Sequence, residues 1–244
     1  MSGALALAAC GDDGPPDAAP QDSVITQVNR DQTTTIPPSI DRDAAVAAAI
    51  DIRAAGCGPR VRFGSGTSIP DDLILTAAHV VSGASDIEVI DSTGFATEAA
   101  VVFFDPDLDV AVLRPSTPAG EPIQMRAEPA REQEIGIVVL SRLIADTVET
   151  EIIDVRVLRQ VNILTTDIYL DKDVERDGFE VTAPIEPGDS GAMVHLPGGG
   201  VGIIWARSTD NEDHAWAVNI PDILLDPDAR GALQTQVDNG QCTG

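Results

Sequence analysis

From Ile50 onward the chain alternates short apolar runs with clusters of Gly, Pro, Asp and Ser. The runs are rich in Val and Ile, whose branched Cβ suits a pleated, half-buried surface better than a helix. The pattern predicts a first set of strands at Ile50–Ala55, Val61–Ser68, Leu73–Ala77, Ile87–Ile90, Ala99–Phe104 and Val110–Arg114. A second set follows at Ile135–Leu140, Thr150–Arg159, Asn162–Tyr169, Phe179–Ala183, Ala192–Leu196, Gly202–Ala206 and Ala215–Ile220. Short strands at this spacing predict an all-β sandwich or barrel. The stretch Pro115 to Pro122, PSTPAGEP, separates the two sets and reads as a connection between barrels. Short helices are expected at Asp41–Ala49, capped by Ser39 or Asp41, and at Asp222–Gln234. Residues 11–40 are rich in Pro, Asp, Ala, Gln and Thr with weak periodicity, and read as a disordered linker.

Composition narrows the functions. The chain has 244 residues, 43% of them hydrophobic, enough for a sizeable core. Its net charge is −25, from 40 acidic against 15 basic residues, which argues against binding nucleic acid or anionic lipid. Aromatics at 3% make stacking platforms for bases or sugars unexpected. No apolar run reaches the length of a membrane-spanning helix.

The cysteines are Cys10, Cys57 and Cys242, an odd number that asks for one with a separate fate. Leu7-Ala8-Ala9-Cys10 resembles the lipobox of bacterial lipoproteins, in which the Cys is acylated after signal cleavage, and Gly11 to Gly14 reads as a tether. Upstream, Met1 to Gly3 lacks a basic residue and only Ala4 to Ala9 is apolar, short for a signal peptide. Either the true start lies further upstream or the match is chance in an Ala-rich chain. Cys57 and Cys242 are then an even pair. They are either bridged, closing a loop 185 residues long and implying an oxidising compartment, or two unrelated buried thiols.

Three segments carry candidate chemistry. Leu75 to Val81 places His79 at the end of an apolar strand, and a histidine satisfied by backbone in the core is the plain alternative. Asp105-Pro106-Asp107-Leu108-Asp109 leads straight into the apolar Val110–Leu113. Asp109 abuts the strand, whereas Asp105 and Asp107 read as surface acids. Glu186-Pro187-Gly188-Asp189-Ser190-Gly191 is a tight turn in which flanking glycines expose Ser190 and let N–H groups converge on a substrate oxygen. Each segment alone is also readable as an ordinary turn or loop. Together they run His, Asp, Ser, spaced by 30 and 81 residues, with His79 and Asp109 in the first strand set and Ser190 in the second. That order differs from those of the subtilisins and the α/β-hydrolases.

With those residues in view, the chain resembles the trypsin-like, chymotrypsin-fold serine peptidases over about residues 48–244. Leu75–Val81 is similar to the family's TAAHV block, Asp109–Leu113 to its D-x-A-V-L block and Gly188–Gly191 to its GDSG block. Gly64-Ser65-Gly66 resembles the opening of the bacterial high-temperature-requirement members. Thr166-Asp167-Ile168-Tyr169 and the Cys57/Cys242 placement are similar to the mycobacterial acid-resistance periplasmic serine proteases.

The resemblance implies two six-stranded antiparallel β-barrels, about 48–118 and 119–244, with the site in the cleft between them. Ahead of these lie residues 1–10 as a possible signal and 11–47 as linker and short helix. It implies an extracytoplasmic serine endopeptidase acting on proteins or peptides, without cofactor or metal, and attached to a membrane only through Cys10 if at all. A protease-like binding or scaffold lipoprotein without activity is the alternative. His79 would be the base, Asp109 its orienting carboxylate and Ser190 the nucleophile. The oxyanion-hole segment would be Gly188, Asp189 and Ser190, with Gly188 and Ser190 donating N–H groups and Asp189 supporting the loop. The substrate pocket would be lined by Pro184, Ile204, Trp205, Ala206 and Arg207, with Trp216 and Ala217 closing it. No acid stands at the expected floor, so small or apolar side chains are expected, unless Arg207 favours acidic ones. One departure is Ala192-Met193, where the family usually has Gly-Pro. His195 and His214 read as packing or surface residues.

Overall fold

The computed structural model of the chain describes residues 40–144 and 147–243. The expected signal segment with Cys10, and nearly all of the 11–40 linker, lie outside the described residues. Asp41 opens α1 (Arg42–Ala48), its carboxylate accepting the Ala44 N–H at 3.0 Å. That satisfies one of the donors a helix start leaves unpaired.

The first six strands are β1 (Ala49–Gly56), β2 (Gly58–Ile69), β3 (Leu73–Thr76), β4 (Asp86–Asp91), β5 (Ala96–Asp105) and β6 (Val110–Pro115). A single helical turn, α2 (Ala78–Val81), follows β3. These strands close into an antiparallel barrel in the order β1-β2-β3-β6-β5-β4, sealed by β4 against β1. Closure removes the sheet edges that would otherwise expose unpaired backbone groups. Ile50, Ile52, Ile74, Leu75, Val112 and Leu113 belong to its buried core, which covers both faces of β3 and β6.

The second barrel comprises β7 (Ile135–Ile144), β8 (Thr147–Thr166), β9 (Asp173–Thr182), β10 (Met193–Leu196), β11 (Gly199–Arg207) and β12 (His214–Asn219). It closes as β10-β11-β12-β9-β8-β7 around Val138, Leu140, Phe179, Val181 and Val194. Met193, Ile203 and Val218 pack instead with the first core, so apolar contact joins the barrels.

Two elements depart from the sequence pattern. The strands expected at Thr150–Arg159 and Asn162–Tyr169 are one strand, β8. The break expected at Gln160-Val161 is absent, and the bulge between Val157 and Arg159 only bends the strand. It passes from pairing with β7, up to Arg156, to pairing with β9, from Val157 onward. Bulges bend and twist strands in this way at barrel corners. The expected Asp222–Gln234 helix divides into α3 (Asp222–Leu225) and α4 (Pro227–Gly231). Pro227 has no N–H to continue a helix but suits a first turn. Asp226 caps that turn by accepting from Asp228 N and Ala229 N.

Cys57 and Cys242 form a disulfide with Cα atoms 5.5 Å apart. It fastens a C-terminal tail laid across the end of α2. Gly83 N–H donates to Asn239 O at 2.9 Å, and Asn239 Nδ2 donates to Val81 O and Ala84 O at 2.8 and 2.9 Å. Arg62 Nη1 reaches His79 O at 3.2 Å and Thr243 Oγ1 at 2.9 Å. The tail thereby supplies partners at the C-terminal end of the turn that carries His79.

Candidate active site

Strand β3 is buried along its whole length and delivers the chain to α2, where the His79 side chain is about one third exposed. Asp109 lies immediately before β6, almost fully buried, with φ at +61°. Asp adopts this left-handed backbone more readily than most side-chain-bearing residues. Both carboxylate oxygens engage the same residue. Oδ1 accepts the His79 backbone N–H at 2.8 Å, and Oδ2 lies 2.8 Å from His79 Nδ1. The two-point hold sets the ring plane and places the proton on Nδ1, leaving Nε2 as the free basic nitrogen.

The loop bearing Asp109 is braced by the β8–β9 connection. Asp105 Oδ1 accepts the N–H groups of Asp107 and Leu108 at 3.0 and 2.9 Å. Lys172 Nζ bonds Asp107 Oδ2 at 2.7 Å, and Ile168 N–H donates to Pro106 O at 3.2 Å. Asp105 and Asp107, expected as plain surface acids, thus shape this loop. Arg176, 3% exposed, donates from Nε to Asp107 O at 2.7 Å and lies over the Trp205 ring at 4.6 Å. Burial pushes its guanidinium pKa down, and the carboxylates of Asp109, Asp105, Asp107 and Asp167 push it back up.

Ser190 occupies a loop stitched to the first barrel. Ser65 N–H donates to Ser190 O at 2.8 Å, and Ser65 Oγ lies 3.2 Å from Gly188 O and 3.4 Å from Ser141 O. Gly191, at φ +95°, fits because a Cβ there would fall 2.0 Å from Ser65 O and 2.5 Å from Thr76 Oγ1. Thr76 stands three residues before His79, so this contact brings the serine loop to the strand end that carries the histidine. Among the described residues the Ser190 hydroxyl makes no hydrogen bond, to His79 or to any other group. Within the loop, the N–H groups of Asp189, Gly191 and Ala192 are spent on Glu186 O, Ile204 O and Asp189 O. Those of Gly188 and Ser190 have no partner among the described residues. Gly188 has φ +108°, a backbone that side chains rarely adopt.

Asp189 is fully buried. Arg142 on β7 donates to it from Nε at 2.9 Å and from Nη2 at 2.8 Å, and Glu186 N–H donates to the same carboxylate at 2.7 Å. The bond to Asp189 holds the Arg142 guanidinium above its ordinary pKa. Neither Arg142, Arg176 nor Ser65 was singled out from the sequence. Only Ser65 left a trace, as the middle of Gly64-Ser65-Gly66.

A cavity of about 480 Å³ opens beside Ser190, lined by Ile185, Glu186, Pro187, Ala206, Arg207, Ser208, Thr209 and Glu212. Of the residues expected on the pocket, Ala206 and Arg207 line it. Pro184 is exposed outside it, Ile204 is buried in the second core, and Trp205 packs under Arg176 against the first core. Trp216 stacks with Arg159 at 5.5 Å, and Ala217 belongs to the second core. Ala192 and Met193 are fully buried behind the loop. No cluster of metal-ligating side chains occurs among the described residues.

His214 Nδ1 lies 2.9 Å from Glu180 Oε1, at the edge of the second barrel. His195 is buried on β10, and desolvation lowers its pKa to about 4. An unfolded histidine titrates near 6.5. Between those values the unfolded chain takes up a proton that the native state refuses, so stability falls as pH drops from about 6.5 to 4. The full loss is about 3 kcal/mol. His195→Leu is expected to flatten this slope by roughly 1 kcal/mol per pH unit. Urea midpoints of both proteins across that range test it; parallel curves would contradict it.

Known proteins share the sequence pattern and the fold. Serine protease Rv3671c of Mycobacterium tuberculosis is 29% identical over 185 residues, covering 75% of this chain and 45% of that protein. The Do-like serine protease HtrA of Lactococcus lactis is 30% identical over 158 residues, covering 61% of this chain and 37% of that protein. The chain thus spans less than half the length of these relatives. The crystal structure of the active form of the Rv3671c protease matches the fold with a TM-score of 0.72 at 24% identity, over 98% of this chain and 100% of that one. The HtrA-type protease AlgW with a tripeptide matches with a TM-score of 0.62 at 22% identity, over 76% and 62%. The family model for the trypsin-like peptidase domain matches residues 64–201, which include the histidine turn, the aspartate loop and the serine loop. With two closed barrels and that match over more than half its length, the chain belongs to the trypsin-like peptidase family.

Proposed function

We propose that the chain is an extracytoplasmic serine endopeptidase that cleaves peptide bonds through an acyl-enzyme. The observation that carries this reading is the double hold of Asp109 on His79, at the strand end against which the Ser190 loop packs. A serine hydroxyl is a poor nucleophile at neutral pH and needs an adjacent base. His79 Nε2 takes the Ser190 proton as Oγ attacks the substrate carbonyl, then gives it to the leaving amine. Asp109 keeps the proton on Nδ1 and stabilises the imidazolium. The unspent N–H groups of Gly188 and Ser190 receive the oxyanion, and water releases the acyl group by the reverse route. Pro187, Ile185 and Ala206 favour a small or apolar side chain before the cleaved bond, with Arg207, Glu186 and Glu212 selecting among its neighbours. The Cys57–Cys242 bridge fits an oxidising compartment, and acylation at Cys10 would tether the enzyme to a membrane.

The absence of a Ser190–His79 hydrogen bond, together with Ala192 behind the loop, favours a second reading: a binding or scaffold protein with the fold but no turnover. A serine-directed fluorophosphonate separates the two. The enzyme is expected to label at Ser190, to lose labelling as Ser190→Ala, and to cleave members of a peptide library. Folded protein that never labels would establish the second reading, and turnover of esters alone would assign an esterase.

A further inference from the structure

We propose that Asn239-Gly240 is a deamidation site, held unreacted while the C-terminal tail is fastened, and that its conversion to aspartate or isoaspartate loosens the turn carrying His79. Of the five asparagines in the chain only Asn239 precedes a glycine; Asn29, Asn162, Asn211 and Asn219 are followed by Arg, Ile, Glu and Ile. A glycine has no Cβ to obstruct attack of its backbone nitrogen on the preceding side-chain amide. The fold uses both members of the pair. Asn239 is half-buried, and its Nδ2 donates to Val81 O and Ala84 O at 2.8 and 2.9 Å, while its own carbonyl accepts Gly83 N–H at 2.9 Å. Gly240 is exposed at φ +73°, and a Cβ there would collide with Tyr169 Oη. The labile pair is thus a consequence of how the tail is built against the end of α2.

The reaction consumes only water. Gly240 N gives its proton to solvent and attacks Asn239 Cγ, and the new N–Cγ bond closes a succinimide ring. The Cγ–Nδ2 bond breaks, and the amide nitrogen takes a proton from water and leaves as ammonia. Water then opens either carbonyl of the ring, giving aspartate, or isoaspartate with the main chain rerouted through the side chain. The fastened tail opposes the first step. The amide is tied to two carbonyls, and Gly240 N–H is tied to Asp238 Oδ1 at 2.8 Å. These ties must break before the ring can close, so the rate follows local opening of the tail. Cys242, three residues beyond Asn239, anchors that segment to Cys57. Once formed, the product no longer fits. A carboxylate at position 239 faces Val81 O and Ala84 O with no hydrogen to offer them. Isoaspartate also adds a methylene to the main chain and displaces the carbonyl that accepts Gly83 N–H. Val81 ends α2 two residues past His79, so the lost partners are those of the turn that carries the histidine.

The test holds the full chain at mildly alkaline pH, with the Cys57–Cys242 bridge intact or reduced, and maps the peptide after Arg230 by mass and by isoaspartyl methyltransferase labelling. Asn239 is expected to exchange its amide for an acid before Asn162, Asn211 or Asn219, and at least about tenfold faster with the bridge open. The deamidated fraction, separated by its added negative charge, and the variant Asn239→Asp should both show Gly83 N–H exchange faster by about ten- to thirtyfold, the scale of two lost hydrogen bonds. Fluorophosphonate labelling at Ser190 should slow about tenfold as the His79 turn loosens. If Asn239→Asp fails to fold, the deamidated wild-type fraction supplies the same readouts. Asn239 intact after other asparagines have reacted, a rate indifferent to the bridge, or a deamidated fraction with wild-type Gly83 exchange would each overturn the site. Faster exchange with undiminished labelling would overturn its link to His79. A wild-type chain that never labels would instead overturn the peptidase reading, and the mass and exchange measurements would still decide this one.

Discussion

Ser190→Ala is expected to lower kcat/KM on the order of 10⁶-fold, and His79→Ala by a similar factor, with the pair together no worse than either alone. Non-additivity is the informative part. A nucleophile and its base act as one unit, so removing the second after the first removes nothing further. Asp109→Asn should cost about 10⁴-fold, because the amide reverses the hydrogen bond at Nδ1 and selects the wrong tautomer. Stability supplies an internal control. The Ser190 hydroxyl makes no hydrogen bond among the described residues, so Ser190→Ala should shift the unfolding free energy by no more than about 0.5 kcal/mol. Asp109 is buried and holds the His79 main chain as well as its ring, so changes there should destabilise measurably. Steady-state kinetics on a library-derived peptide, with denaturant unfolding of each variant, check both statements. Strictly multiplicative losses for His79 and Ser190 would mean the two side chains do not work together.

The second large effect is on stability. Replacing Cys57 and Cys242 by serine opens a loop of 185 residues. On the chain-entropy account that costs about 5 kcal/mol, through the freedom it restores to the unfolded chain. Native domains are stable by about 5–15 kcal/mol, so the double variant should be close to unfolding at physiological temperature. The denaturant midpoint should fall sharply. The slope m should rise, since a chain without the cross-link exposes more surface when unfolded. A local consequence is separable from the global one. Gly83 N–H donates to Asn239 O in the strapped tail, so its hydrogen exchange should speed up in the variant even under native conditions. Unchanged midpoint and unchanged exchange would show that the tail stays in place without its bridge.

Much of this architecture was legible in residue order. β-branched runs punctuated by Gly, Pro and Asp marked the strands, because a pleated surface with one buried face requires that alternation. The His79, Asp109 and Ser190 blocks were legible because a strand-end histidine, an acid before an apolar strand and a glycine-flanked serine are each rare in combination. Errors came where a local signal had a tertiary override. A break was expected at Gln160-Val161, yet β8 runs through it, and a bulge just before, between Val157 and Arg159, lets the strand bend from one partner to the next. Pro184, Ile204 and Trp205 lie near the expected pocket in sequence, but Ile204 is buried in the second core, and past the bulge between Ile204 and Ala206 the cavity is lined by Ala206, Arg207 and Ser208.

What one strand can specify by its own pattern is its existence and the face it buries; its length it specifies less well, as β8 and β9 show. The sequence alone therefore determined the two strand sets and the candidate chemical groups. It did not determine which groups would stand beside them. Arg142 against Asp189, Arg176 behind the aspartate loop and Ser65 under the serine loop are separated in the chain by 47, 69 and 125 residues from what they hold. An arginine looks alike in the sequence whether it is solvated or clamped on a buried carboxylate. Only barrel closure and strand register bring such residues together, because those distances are set by packing of the whole chain and not by any local preference.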